Sequence, residues 1–113
     1  MRNWVVIARN NLPKGFPKIL EGSILSGEKL IDNKEYRDSL VKITQAIGGE
    51  MEGAGLVTAC QIAKVDWMLV KAVCDWADGD KSTETSEKHQ TIAARASAEF
   101  VAYMLKGNLE VAV

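Results

Sequence analysis

The period of apolar positions changes several times along the chain, and each change marks an element. Trp4 to Ala8 is a short β-branched, apolar run and predicts a strand. Asn10-Asn11-Leu12-Pro13-Lys14-Gly15-Phe16-Pro17 interrupts it as a loop, because proline removes an amide donor while asparagine and glycine suit turns. Ile19 to Leu25 predicts a second strand, ended by the turn Ser26-Gly27-Glu28-Lys29. Asp32, with Glu35 three residues on, has the spacing of a capping box. Tyr36, Leu40, Ile43 and Ile47 then recur at four, three and four, the single apolar stripe of a surface helix, which Gly48-Gly49 ends. A further short strand fits Gly48 to Glu50.

The rest is more apolar. Glu50-Met51-Glu52-Gly53-Ala54-Gly55-Leu56 leads into a helix to about Ala63 that is apolar nearly all round, which predicts burial on most sides. Gly53 and Gly55, near its start, allow close approach of backbone to sheet or ligand. Trp67 to Cys74 is a nearly continuous apolar run of strand length, as expected of a strand covered on both faces in a parallel sheet. Trp76 to Ser86 reads as a loop. A last helix spans Glu87 to Lys106, with Ile92, Ala96, Phe100, Tyr103 and Met104 on one face and Gly107 placed to stop it. This order predicts an α/β class, a mixed sheet flanked by helices, in a single domain over residues 1–113. So few strands are less than a sheet buried on both faces usually has. Either another chain completes the sheet or the chain is part of a larger domain.

Composition narrows the function classes. Fourteen basic and fifteen acidic side chains in 113 residues give a net charge of -1, so no electrostatic footprint favours nucleic acid or an anionic membrane as partner. The apolar runs are too short to cross a membrane, and the one at the start is too short for a signal peptide, which makes the cytoplasm the expected location. Cys60, Cys74 and His89 lack the spacing of a zinc site, so neither metal nor cofactor is expected, and the thiols read as small apolar filler.

Three places can carry chemistry. Asp75 follows the buried run directly, where α/β sheets bind ligands beyond the carboxyl ends of strands. Burial there disfavours the charged carboxylate, so the group can hold a proton and donate it to a leaving group. The alternative is a carboxylate that closes an Asx turn. Glu50 and Glu52 flank Met51 ahead of a helix. One carboxylate can serve the helix dipole. In an extended segment both face one pocket, where a carboxylate accepts the two hydroxyls of a ribose and the methionine packs on the sugar. Lys71, inside a buried run, is expected to reach a carboxylate or the sheet edge. Cys74 lacks a neighbouring base, His89 reads as solvated or capping, and Trp76 is either packing or a stacking platform beside Asp75.

Taken together, Gly22-Ser23-Ile24-Leu25-Ser26-Gly27-Glu28-Lys29-Leu30-Ile31, Glu50-Met51-Glu52-Gly53-Ala54-Gly55 and Lys71-Ala72-Val73-Cys74-Asp75-Trp76-Ala77-Asp78 resemble the nucleoside phosphorylase family. The branch is that of purine and uridine phosphorylases and methylthioadenosine/S-adenosylhomocysteine nucleosidases, in its C-terminal half, and the likeness runs from about Leu20 to Leu105. It implies part of the phosphorylase/hydrolase-like fold and cleavage of an N-glycosidic bond through an oxocarbenium-like sugar, attacked by water in nucleosidases and by phosphate in phosphorylases. It implies Met51 and Glu52 as ribose contacts, Asp75 as the acid that protonates a purine ring nitrogen, Cys74 beside the base or that acid, and Leu30 and Ile31 as lining of the base pocket. Lys71 stands where the family has arginine, and Cys74 where it often has serine. The residues that position water or phosphate lie in a part of the family domain that this chain does not cover. The expected partners are thus a purine nucleoside, phosphate in the phosphorolytic case, and either another copy or another chain that completes the domain. The alternatives are an inactive homologue that keeps the nucleoside grip, and an interaction domain that dimerises through its sheet edge.

Overall fold

The computed structural model describes residues 2–79 and 83–112. The elements in chain order are α1 (Arg2–Asn10), β1 (Ile24–Ser26), α2 (Lys34–Thr44), β2 (Gly48–Glu50), α3 (Gly53–Ala63) and α4 (Thr83–Ala112). Among the described residues, no helix is long and apolar enough to cross a membrane.

The first run, expected as a strand, is the helix α1. Val5, Ala8 and Leu12 fall at spacings of three and four, and all three pack on the cluster built around Phe100 and Met104 of α4. Burial at helical period thus overrides the strand preference of the β-branched residues. The end of α1 is closed by the Asn11 amide, which donates to Ala8 O at 3.1 Å, and by its side chain, which donates to Ile7 O at 2.8 Å. Tyr103 of α4 donates its hydroxyl to Asn11 O at 2.5 Å, and its ring lies 5.8 Å from that of Phe16. The core is this α1–α4 contact, with Met104 only 1% exposed at its centre.

The sheet is a parallel pair rather than the larger mixed sheet expected. Ile24, Leu25 and Ser26 stand opposite Gly48, Gly49 and Glu50. β1 is only the end of the run from Ile19, because Ile19 itself turns to the α1–α4 cluster. Gly22 leaves room where the chain crosses Ile47, since a Cβ there would come 3.0 Å from Ile47 Cγ1 and that side chain would have to shift. The crossing lets Ile47 N donate to Ser23 O at 2.9 Å. The apolar run Trp67 to Cys74 joins no strand ladder in the described structure. Met68 and Val70 pack on the α1–α4 cluster, whereas Val73 is 60% exposed. An apolar run becomes a strand only when a neighbouring strand supplies backbone partners.

Three helix expectations also change. Asn33, not Asp32, caps α2, its Oδ1 accepting from Tyr36 N at 2.9 Å. Gln45, in the left-handed region at φ 58°, ends that helix ahead of Gly48. Its inward face is Arg37, Leu40 and Thr44, while Ile43 of the expected stripe is 80% exposed. α3 has the expected bounds, but only Gly53 is buried and Ile62 is 80% exposed. α4 begins before Glu87 and runs through Gly107. One glycine inside a helix costs only about 1 kcal/mol, and the neighbouring Asn108 side chain donates back to Met104 O at 2.8 Å. Residues 80–82 of the expected loop lie outside the described residues.

Candidate active site

β1 and β2 end together at Ser26 and Glu50, which face each other in register, so the Glu-Met-Glu turn leaves from the carboxyl end of a parallel pair. That is the end at which α/β sheets hold ligands. Both terminal residues reach the start of α3. Ser26 Oγ accepts from Ala54 N at 2.8 Å. Glu50 Oε2 accepts from Glu52 N at 2.6 Å and from Gly53 N at 2.5 Å. The carboxylate fills the space a side chain would need at position 53, where a Cβ would stand 3.0 Å from the Glu50 carboxyl carbon. The predicted close approach at Gly53 is therefore to Glu50 itself, while Gly55 has open space around it.

Glu50 is half-buried, and its Oε1 is covered and takes no hydrogen bond among the described residues. Burial pushes its carboxyl up. The Ser26 hydroxyl, the Glu52 and Gly53 amides and the positive charge of Lys71 outweigh that and hold it below the usual carboxylate range. The Ser26 hydroxyl thus favours the charge without closing a bond to Oε1. Lys71, expected to reach a carboxylate, acts here on Glu50, although its own residue is exposed.

Glu52 occupies the N-cap position of α3 and makes no side-chain cap bond. Among the described residues its carboxylate accepts a single long bond, from Met51 N at 3.3 Å, and both Met51 and Glu52 are exposed. The two acids therefore do not face one pocket as an extended segment would make them. Glu50 turns back on the helix and Glu52 turns out.

Asp75 is half-buried, and its Oδ1 accepts from Ala77 N at 2.9 Å, which is the Asx turn held open as the simpler reading. Cys74 Sγ donates to Asp75 Oδ2 at 3.5 Å. Ala77 is a non-glycine residue at φ 53°, a conformation that persists only when its surroundings impose it. They do. Arg37 Nη1 donates to Trp76 O at 2.7 Å, and Gly79 N donates to Asp32 Oδ1 at 3.0 Å. Asp32 and Arg37 were not singled out as site residues, although both lie close to Leu30 and Ile31. They tether the stretch holding the predicted base-pocket residues, half-buried Ile31 and exposed Leu30, to the Asp75 loop. Trp76 stands 73% exposed beside it, and His89 is exposed on α4.

The three motifs are thus linked. Ser26 joins the first to the second, Lys71 acts on the second from the third, and Asp32 and Arg37 join the region after the first to the third. A cavity of about 340 Å³ lies elsewhere, between α1 and α4, and is lined by Ile7, Tyr103 and Met104 among others. Among the described residues no cluster of histidine, cysteine and carboxylate side chains is placed to hold a metal.

The sequence model of the Phosphorylase superfamily matches residues 3–106. The chain belongs to that superfamily. Similar members include a death domain-containing ATP nucleosidase of Amphimedon queenslandica, 38% identical over 78% of this chain and 16% of that protein. An aminodeoxyfutalosine nucleosidase of Helicobacter pylori is 32% identical over 75% of this chain and 36% of its own length. A 5'-methylthioadenosine/S-adenosylhomocysteine nucleosidase of Desulfotalea psychrophila is 26% identical over 93% of this chain and 45% of its own length. The chain therefore spans less than half the length of these superfamily relatives. No solved structure matches it significantly. The small parallel sheet among helices is compatible with the superfamily's fold.

Proposed function

We propose that the chain is the nucleoside-binding portion of an N-glycosidic bond-cleaving domain, acting on a purine nucleoside such as methylthioadenosine or adenosine, with the rest of the domain supplied by residues outside this sequence. The observation that carries this reading is the placement of the Glu-Met-Glu turn at the shared carboxyl end of β1 and β2, with Glu52 free of capping work. Membership of the superfamily and the nucleosidase names of its relatives support it.

In this reading Glu52 accepts hydrogen bonds from the ribose hydroxyls and Met51 lies against the sugar. Leu30 and Ile31 bound the base. Asp75, in its protonated form, donates to a purine ring nitrogen while the glycosidic electron pair leaves with the base. Cys74 orients that carboxyl through its thiol. The oxocarbenium-like sugar is then captured by water or by phosphate, held by residues of the completing part. A 1 Å misplacement costs about a hundredfold in such a site, so turnover depends on completion.

A second reading is a nucleoside-binding module without turnover. It is favoured by the exposure of Met51 and Glu52, which leaves the sugar grip open whether or not a nucleophile is held opposite it. One experiment separates the two. The chain, alone and mixed with the N-terminal half of a superfamily nucleosidase, is incubated with adenosine, methylthioadenosine and inosine, with and without phosphate, and free base is measured beside calorimetric binding. Release of base in the mixture supports the first reading, binding without release in the mixture supports the second, and neither binding nor release overturns both.

A further inference from the structure

The two carboxylates of the Glu-Met-Glu turn do different work. We infer that Glu50 is a positioning residue, which seats the turn on the start of α3 and so aims Glu52, and that Gly53 is the companion that makes its seat possible. This rests on the reading of Glu52 as the sugar ligand.

The geometry supplies four supports. Glu50 Oε2 takes the amides of both Glu52 and Gly53, which fixes the two peptide planes between which the Glu52 side chain leaves. The carboxylate lies where a Cβ at position 53 would have to go, so the arrangement exists only with glycine there. Ser26, opposite Glu50 in register, takes the next amide, that of Ala54. Consecutive amides at the start of α3 are thereby anchored to the last residues of two paired strands. Helix starts normally satisfy these donors from the N-cap side chain. Here the N-cap is Glu52, which makes no such bond and stays exposed. Glu50 has taken over the capping role and left Glu52 outward.

The groups that face Glu50 are the Ser26 hydroxyl from β1, the Glu52 and Gly53 amides from its own turn and the Lys71 ammonium from the segment after α3. Burial alone raises the Glu50 carboxyl, but the Ser26 hydroxyl, the two amides and Lys71 together bring it below its ordinary value of 4.5. A group lowered in this way stabilises the fold above that value and ceases to do so as pH falls through the lowered one.

The test uses the full chain. In an acid titration followed by proton–nitrogen correlation spectra, the amide protons of Glu52 and Gly53 are expected to shift together, with one midpoint below 4.5. That transition survives Glu52→Gln and vanishes in Glu50→Gln. Amides that follow the Glu52 carboxyl instead, or that do not titrate, overturn the assignment. Calorimetry with adenosine supplies the second arm. Gly53→Ala, which leaves the Glu50 carboxylate in the chain but removes its seat, is expected to weaken binding as much as Glu50→Ala does, by roughly ten- to a hundredfold. Binding in Gly53→Ala that stays near wild type while Glu50→Ala loses it would make Glu50 a direct sugar ligand and end the proposal. If the wild-type chain binds no adenosine, the ribose reading falls, and the amide titration alone decides the role of Glu50.

Discussion

Arg37→Ala tests whether the loop that carries Asp75 is held from α2. The Arg37 side chain is 29% exposed, and its guanidinium donates one 2.7 Å bond to Trp76 O, while its other nitrogens hold Asp38 Oδ1 at 2.9 and 3.0 Å. A hydrogen bond from a charged donor contributes about 1.5–3 kcal/mol when well buried. Partial solvation reduces that to about 1 kcal/mol here. Against a typical total stability of about 5–15 kcal/mol, the global effect is small but measurable. With a urea m-value of about 1–3 kcal/mol/M, the unfolding midpoint should fall by about 0.3–1 M. The local effect is the sharper one. The Ala77 amide, bonded to Asp75 Oδ1, should exchange with solvent about fivefold faster, the factor that corresponds to about 1 kcal/mol. Asp38→Ala controls for the neighbouring ion pair and should leave Ala77 exchange nearly unchanged, since the bond to Trp76 remains. Asp32→Ala removes the second tether, to Gly79 N, and combined with Arg37→Ala should show coupling of about 0.5 kcal/mol or more. If Arg37→Ala lowers global stability yet leaves Ala77 exchange as it was, the side chain acts by covering surface and the clasp does not exist.

Three further outcomes are expected. Met104→Ala, at the centre of the α1–α4 contact, should destabilise the chain by about 2–5 kcal/mol in a denaturant titration, because it empties a fully buried site. Ala77→Gly should be neutral or slightly stabilising in the same assay, within about 1 kcal/mol, since glycine carries no Cβ penalty at φ 53°; a loss beyond that would mean that the Ala77 methyl packs. Asp75→Asn should keep stability within about 0.5 kcal/mol, because the amide oxygen still accepts from Ala77 N, while base release by the completed enzyme falls by about 10²–10⁴.

How far the sequence could be read depended on whether a signal was local. The Gly48 to Glu50 strand, the α3 helix and the turn at Asp75 follow from residues within a few positions of one another, and each stands where the pattern placed it. Trp4 to Ala8 failed because its strand preference is local, while the packing of Val5, Ala8 and Leu12 on Phe100 and Met104 is decided about ninety residues away. Trp67 to Cys74 failed for a related reason: apolar content predicts burial, but only a partner edge makes a strand. The site shows the same division. Spacing brought out Glu50, Met51 and Glu52 together, but which acid caps and which faces outward depends on the missing Cβ at Gly53 and on Ser26 across the sheet. Asp32 carried a visible capping signal, yet its acceptor was used forty-seven positions away by Gly79, and the cap went to Asn33.

The occupied start of α3 also bears on where an attacking group can sit. A helix N-terminus with open amides is a ready anion site. In α3 the amides of Glu52, Gly53 and Ala54 already point at Glu50 and Ser26, and two carboxylates stand beside them. A phosphate approaching this end would have to displace a charged acceptor seated at 2.5–2.6 Å and would meet like charge while doing so. A sugar hydroxyl meets the opposite situation, because it donates to the outward Glu52 carboxylate and needs none of those amides. With Glu52 in the proposed role, the turn thus favours a neutral, hydroxyl-bearing ligand over an anion. If phosphorolysis is the reaction, its phosphate must be gripped by a different element.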